Sequence, residues 1–257
     1  MGILNTTPDS FFEGSRIDGP NKLLLKVENM LQSGATFIDI GGQSTRPGAL
    51  LISAEEELKR VVPAIDEIQK EFPEAIISID TFYASVAKAA IEAGASIIND
   101  ISAGDDDPAM FDVLGSLKVP YIMMHKKGLP KSMQENPQYG DLVLEIASYF
   151  SKKLEQLRAL GIADVILDPG FGFGKNLQHN YQLLNQLNHF KIFELPLLVG
   201  VSRKSMIQKV LEVDANAALN GTTAVHMASL MNGATILRAH DVKEAVECVK
   251  IYEAMKQ

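Results

Sequence analysis

The chain has 257 residues, 46% of them hydrophobic and 22% charged, with 24 basic against 32 acidic side chains. This composition excludes whole-chain disorder, and the net charge of −8 argues against a nucleic-acid-binding protein, although a local basic pocket could still hold phosphate. A single cysteine, Cys248, excludes an intrachain disulfide and a cysteine zinc cluster. No apolar run approaches the ~18 residues of a membrane span. Met1–Asn5 lacks the basic start and apolar stretch of a signal peptide, so a cytoplasmic protein with no membrane partner is expected.

In chain order, Gly2–Leu4 reads as a strand, Asn21–Gln32 as a helix, Thr36–Ile40 as a strand and Ala54–Glu71 as a helix. Ala75–Ile79, Ala84–Ala93, Ser96–Ile98 and Ala109–Ser116 continue the alternation, followed by Val119–Met124, Leu142–Leu160 and Asp164–Leu167. Asn180–Leu187, Leu195–Val201, Asn216–Met231, Thr235–Leu237 and Val242–Met255 complete it. The strand runs are short and apolar without alternation, as strands covered on both faces should be. Ser53 and Glu56 have capping-box spacing, and Asp107-Pro108 reads as an N-cap with a first-turn proline.

A weak repeat supports the same reading. Ser33–Asp39, Ala93–Asn99 and Asn232–Arg238 share one shape, and Leu160–Asp168 is a looser fourth copy. In each, a helix should end at a glycine, a short loop follows, and a buried strand leads to a polar residue. Regular βα alternation without a composition break implies one parallel α/β domain over residues 1–257, and eight units point to a (β/α)8 barrel. A doubly wound sheet is the alternative.

In such barrels function sits at the C-terminal strand ends. The residues just past the apolar runs are Asn5, Asp39, Asp80, Asn99, Asp100, His125, Asp168, Ser202–Lys204 and Arg238–His240. Nearly every strand therefore ends in a hydrogen-bonding side chain. For Asp80 and Asp168 alone, a helix cap and a turn-starting aspartate are competing readings. Gly170–Asn176 fits neither the Walker nor the dinucleotide glycine spacing, and Gly200–Lys204 lacks the second glycine of a nucleophile elbow. His179 and His189 read as solvated surface.

Eight local strings, in order and each at a strand end, carry a resemblance. They are Met1–Phe11, Asp39–Gly48, Ser78–Thr81, Ile98–Ile101, Met124-His125, Asp168–Lys175, Gly200–Ser205 and Arg238–Asp241. Together they resemble the dihydropteroate synthase family of pterin-binding enzymes over essentially the whole chain. One departure is Gln43, which stands where that family usually has glutamate in Gly-Glu-Ser-Thr-Arg-Pro.

The resemblance implies condensation of 6-hydroxymethyl-7,8-dihydropterin pyrophosphate with p-aminobenzoate, giving 7,8-dihydropteroate and pyrophosphate. Asp80, Asn99 and Asp168 would read the donor-rich pterin edge, with Met124 and Phe173 as walls and Lys204 bridging the two substrates. Ser202 would point the same way as Lys204 if the strand persists that far. Arg238, His240 and Arg46 would stabilise departing pyrophosphate, and Asn5 would offer an oxygen to Mg²⁺ arriving with the phosphates. Phe11, Thr45, Arg46, Pro47 and Ser202 would form the pocket for aminobenzoate and for the sulfonamides that mimic it. A homodimer is also implied. A methyltetrahydrofolate-dependent corrinoid methyltransferase, which has no use for the pyrophosphate set, and a non-catalytic pterin-binding protein, against which the intact loops argue, are the alternatives.

Overall fold

The computed structural model describes residues 1–6, 19–43, 51–128, 133 and 136–256. Its strands are β1 (Gly2–Asn5), β2 (Phe37–Gly41), β3 (Ile76–Asp80), β4 (Ile97–Asp100), β5 (Tyr121–Met124), β6 (Val165–Asp168), β7 (Leu198–Val199) and β8 (Ile236–Leu237). The helices are α1 (Gly19–Gln32), α2 (Ala54–Glu71), α3 (Ala84–Glu92), α4 (Met110–Leu117), α5 (Leu142–Ala159), α6 (Leu177–Asn185), α7 (Ser205–Leu211), α8 (Leu219–Met231) and α9 (Val242–Ala254). A 3₁₀ segment, Leu187–Phe193, follows α6.

Strands β1 to β6 pair in sequence order, all parallel, and β7 pairs with β8. Two bridges close the ring. Leu167 N–H donates to Pro196 C=O at 2.9 Å, which joins β6 to the β7 side. Ile3 N–H donates to Ala239 C=O at 3.0 Å, and Ala239 N–H donates to Met1 C=O at 2.9 Å, which joins β8 to β1. The result is a (β/α)8 barrel in a single domain, as the βα alternation predicts.

The four repeat copies share one covalent logic. Gly34, Gly94, Gly161 and Gly233 all adopt positive φ, the conformation that stops a helix without a Cβ clash. The residue after each glycine bonds back to the carbonyl five residues earlier: Ala35 to Met30, Ala95 to Ala90, Ile162 to Leu157 and Ala234 to Ser229. This helix stop is used at four αβ corners, and it delivers the chain to the start of β2, β4, β6 and β8.

Barrel strands have two faces, and the core divides accordingly. Ile97, Ile122 and Leu198 form a small cluster with Met1, Phe37, Ile166 and Ile236, drawn from seven of the eight strands or their starts. This is the plug inside the barrel. The neighbouring strand residues Ile38, Ile77, Ile79, Ile98, Tyr121, Met123, Val165, Leu167 and Val199 belong instead to the large cluster packed under the helices. Side chains alternate along a strand, so the positions two residues beyond the plug face inward again, nearer the C-terminal mouth. Those positions are Asp39, Asn99, Met124, Asp168, Gly200 and Arg238, with Asp80 two beyond Ser78 on β3.

Several local expectations are corrected. The strands run one residue further than the apolar pattern at four ends and two further at β4, so Asn5, Gly41, Asp80, Asn99, Asp100 and Asp168 are strand residues, not loop residues. Helix α4 begins later than the Asp107-Pro108 signal, with Ala109 as its N-cap; Asp107 Oδ1 still accepts Ala109 N–H at 3.0 Å at that end, and its Oδ2 accepts Ala84 N–H at 2.8 Å, so it also caps α3. Ser53 does accept Glu56 N–H at 3.2 Å, but Glu56 turns its carboxylate to Arg60 rather than back to Ser53. Helix α7 lay within no helical expectation; seven residues are too few for an amphipathic pattern to register. Strand β7 is confined to Leu198–Val199, much shorter than the apolar run Leu195–Val201.

Candidate active site

The mouth is built from the inward positions just named. Arg238 extends from the end of β8 and donates from Nε to Asp39 Oδ2 at 2.6 Å and from Nη2 to Asp80 Oδ2 at 2.6 Å. Asn99 Nδ2 donates to both oxygens of Asp39, at 3.1 and 3.3 Å. Asp39 is fully buried and thereby saturated, while Asp80 keeps Oδ1 for another partner. Gly200 lies between these groups, where a Cβ would stand in ordinary contact, 3.9 Å from both Lys204 Nζ and Arg238 Cδ.

Lys204 starts α7 and reaches across the mouth to β6. Its Nζ donates to Phe171 C=O at 2.6 Å and lies 4.9 Å from the centre of the Phe173 ring. Asp168 at the end of β6 accepts Gly170 N–H at 2.7 Å on Oδ1. Met124 is buried beside this turn. The mouth thus holds carboxylates and cations in near balance, within a low-dielectric wall that makes each charge costly unless paired.

Electrostatics follow from that burial. Burial pushes the Asp80 carboxyl up to about 7, against the pull of Arg238, with Asp39, Asp100 and Asp168 adding to the rise. Asp168 is raised for the same first reason, with Lys204 opposing. Lys204 is lowered to about 8 by burial, with Asp168 holding it up. Arg238 is held above its ordinary value, the two aspartates outweighing its burial. The mouth therefore contains an acid and a base that both titrate near neutrality.

His240 and Ser202 form a second, outer group. Ser202 Oγ lies 3.0 Å from His240 Nδ1 and 3.2 Å from His240 N, which donates to it. Burial and the Arg238 charge lower His240 to about 4, so it is neutral at pH 7. Ser202 does not sit on a continuing strand, as its alternation with Lys204 required: β7 stops at Val199, and Arg203 turns the chain at φ 54°. Arg203 turns away from the mouth. It is anchored to Asp241 by two bonds of 2.8 and 2.9 Å and to the Ala215 and Asn216 carbonyls.

Not every polar strand end faces the axis. Asp100 lies on the outer parity and accepts from Ser102 N–H, Ser102 Oγ, Gly104 N–H and Tyr121 Oη at 2.7 to 2.8 Å, organising its own loop. His125 is likewise outside the axis and meets Lys175. Asn5 ends β1 on the inward parity, half-buried, and its side-chain amide makes no hydrogen bond among the described residues. Phe11, Thr45, Arg46 and Pro47 lie outside the described residues. Gln43, at the start of that second loop, accepts Ile52 N–H at 2.9 Å, a role a glutamate oxygen also fills.

Asp39 and His125 stand among the polar strand ends and Lys175 within the Asp168–Lys175 string, but the sequence assigns none of them a role, and Glu57 carries no mark at all. Their partners lie on other elements, and no local spacing names those.

A closed parallel barrel with ionisable side chains gathered at its C-terminal mouth defines a small-molecule enzyme of the (β/α)8 class. Residues 1–240 match the family described as pterin binding enzyme. Over 256 residues the chain is 46% identical to the dihydropteroate synthase of Escherichia coli K12, covering 99% of this chain and 90% of that protein. It is 43% identical to the dihydropteroate synthase of Synechocystis over 258 residues, covering 99% and 89%. The structure superposes on Yersinia pestis dihydropteroate synthase in a sulfonamide drug complex with TM-score 0.92 and 46% identity, covering 100% of this chain and 93% of that one. It also matches Xanthomonas albilineans dihydropteroate synthase with 4-aminobenzoic acid, at TM-score 0.92 and 35% identity, covering 100% and 92%. The chain belongs to the pterin-binding enzymes, and within them to the dihydropteroate synthase family. It is a transferase of the pterinylmethyl group. Among the described residues no helix is long and apolar enough to cross a membrane.

Proposed function

We propose that the chain condenses 6-hydroxymethyl-7,8-dihydropterin pyrophosphate with p-aminobenzoate, releasing pyrophosphate. The observation that carries this reading is the convergence of Asp80, Asn99, Asp168, Lys204 and Arg238 on one barrel mouth. The pterin edge presents an amide N–H and an amino group. Asp80 Oδ1 and the second oxygen of Asp168 are acceptors for them, and an unpaired buried carboxylate is costly, so pairing selects a donor-rich ligand. Asn99 spends its N–H₂ on Asp39 and leaves its oxygen as a further acceptor. Phe173 and Met124 supply apolar walls.

The reaction breaks the bond between the pterin methylene carbon and the pyrophosphate oxygen, forms a carbon–nitrogen bond to the arylamine, and sheds one amine proton. The departing oxygen gains negative charge, and cations preorganised beside it lower the barrier. Arg238 is held rigid by its two aspartates, which reduces its reorganisation but also part of its net charge. His240, neutral near pH 7, donates a hydrogen bond rather than a full charge. Arg46 belongs to the same role in this reading. Lys204 stands where pterin and arylamine would meet, and the arylamine is neutral at pH 7, so no strong general base is needed.

Mg²⁺ fits this chain only as a cation brought by the phosphates. The described residues contain no group of three or more His, Cys, Asp or Glu side chains able to hold a metal, while the unbonded Asn5 amide offers one oxygen. When bound, it would neutralise phosphate charge on the leaving group. Phe11, Thr45, Pro47 and Ser202 would receive p-aminobenzoate. The homodimer implied by the resemblance belongs to the same reading and is tested by sedimentation.

Incubation with both substrates and Mg²⁺, following dihydropteroate and pyrophosphate together, is the decisive experiment. The two products are expected in equal amounts. A folded protein that forms neither sinks the proposal.

A further inference from the structure

Lys175 is a fully enclosed lysine, 2% exposed, that the proposed chemistry does not use. Its Nζ donates to Gly170 C=O at 2.9 Å and to Phe173 C=O at 3.2 Å, and lies 3.1 Å from His125 Nδ1. Burial pushes Lys175 down to about 7, with Asp168 holding it up; in its ammonium form it has three N–H groups and here finds three acceptors. For His125 Nδ1 to accept, the imidazole must be neutral with its proton on Nε2. Burial and the Lys175 charge agree, pushing His125 down to about 2.

The turn Gly170–Phe173 is therefore held from two sides. On the outer side, Lys175 takes the Gly170 and Phe173 carbonyls. On the inner side, the Phe171 carbonyl and the Phe173 ring hold Lys204, while Gly170 N–H holds Asp168. The turn is pressed without slack against the backbone that leaves β5. A Cβ on Gly170 would lie 1.9 Å from His125 C=O, and one on Gly174 2.2 Å from Lys127 C=O. His125 N–H itself donates to Asp168 C=O at 2.9 Å, tying the two strand ends.

We infer that Lys175, seated on neutral His125, is a positioning residue: through the turn 170–173 it sets where Lys204 and Asp168 stand at the barrel mouth. It has no hydrogen bond to either group, and none to Arg238 or His240. Its influence should reach the pterin side of the mouth and leave the pyrophosphate side unchanged. This rests on the proposed function for the identity of the ligands, but not for the geometry.

The test uses Lys175→Met, His125→Leu and His125→Asn, the last keeping a side-chain acceptor close to the Nδ1 position. Calorimetry measures a pterin lacking pyrophosphate and, separately, inorganic pyrophosphate with Mg²⁺; steady-state kinetics gives kcat and KM for the pterin pyrophosphate. Lys175→Met should weaken the pterin at least tenfold and raise KM by a similar factor, with pyrophosphate affinity within twofold and kcat changed less than KM. His125→Asn should lie nearer the original protein than His125→Leu. Equal losses for pterin and pyrophosphate with a lowered Tm would reduce Lys175 to a structural role and overturn the inference, as would unchanged pterin affinity in a folded Lys175→Met protein. If Lys175→Met does not fold, His125→Leu, which leaves the ammonium in place, carries the same comparison. A reading free of ligand comes from ¹³C-methylated lysines: the Lys204 resonance should move in Lys175→Met. If the unmodified protein binds no pterin, the proposed function fails, and this resonance still decides the inference: an unmoved signal overturns it.

Discussion

Arg238 Nη2 donates to Asp80 Oδ2 at 2.6 Å, joining the last strand of the barrel to the third. The same guanidinium holds Asp39, so one cation stands between two buried carboxylates. Removing it leaves both uncompensated, which typically costs about 3–5 kcal/mol for a buried pair. Arg238→Ala should therefore lose stability on that scale in urea titrations, in addition to any loss of pyrophosphate binding. His240→Ala, which leaves the Arg238 ion pairs intact, should change stability by less than about 1 kcal/mol and weaken pyrophosphate while sparing a pterin that lacks it. The distinction fails if the two variants unfold at the same urea concentration.

Asp80→Asn and Asp168→Asn should each weaken pterin binding by about 1.5–3 kcal/mol, the scale of a hydrogen bond to a charged group. Calorimetry with a pterin lacking pyrophosphate measures this directly. Unchanged affinity in both variants would remove the pterin from this mouth.

Pterin binding should release a proton near pH 7. Burial raises the Asp80 carboxyl well above the usual carboxylate range, against the pull of Arg238, so it holds its proton to higher pH than a free aspartate. A ligand that donates to the carboxylate favours its charged form and lowers that value. Calorimetry in buffers of differing ionisation enthalpy should show fractional release that disappears in Asp80→Asn. Net uptake would contradict the assignment.

Glu57 on α2 is completely buried, accepts Thr81 Oγ1 at 3.1 Å on Oε2, and has no partner for Oε1 among the described residues. Burial pushes its carboxyl up to about 7. A folded-state value above the unfolded one means the group's contribution to stability is whole below about 4.5 and lost as pH rises through about 7. Between pH 5 and pH 8 the original protein should lose on the order of 2–3 kcal/mol relative to Glu57→Gln. Parallel stability curves for the two proteins over that range would show that Glu57 does not titrate there.

The sequence by itself determined the eight βα units, the glycine corners that start four strands, and most of the side chains that meet at the mouth. These are local matters. A helix stop needs a glycine able to take positive φ, and a strand covered on both faces needs a short unbroken apolar run, so each is written within a few residues. The strand ends Asn5, Asp80, Asn99, Asp168 and Arg238 follow from the same local pattern.

Only the tertiary structure decided which polar ends share a face. The apolar runs carry no alternation, so their phase is invisible until the strands are in register, and then one step separates the inward Asn99 from the outward Asp100, and Met124 from His125. It also decided the partners. Arg238 meets Asp39 across 199 residues, Lys175 meets His125 across 50, and Asp107 caps a helix 23 residues before it. Such pairings depend on barrel closure, which sets distances between strand ends that no local spacing encodes. Ser202 shows the same limit: its alternation with Lys204 assumed a strand that in fact stops at Val199, after which Arg203 turns to Asp241, a residue supplied from beyond the neighbouring strand β8.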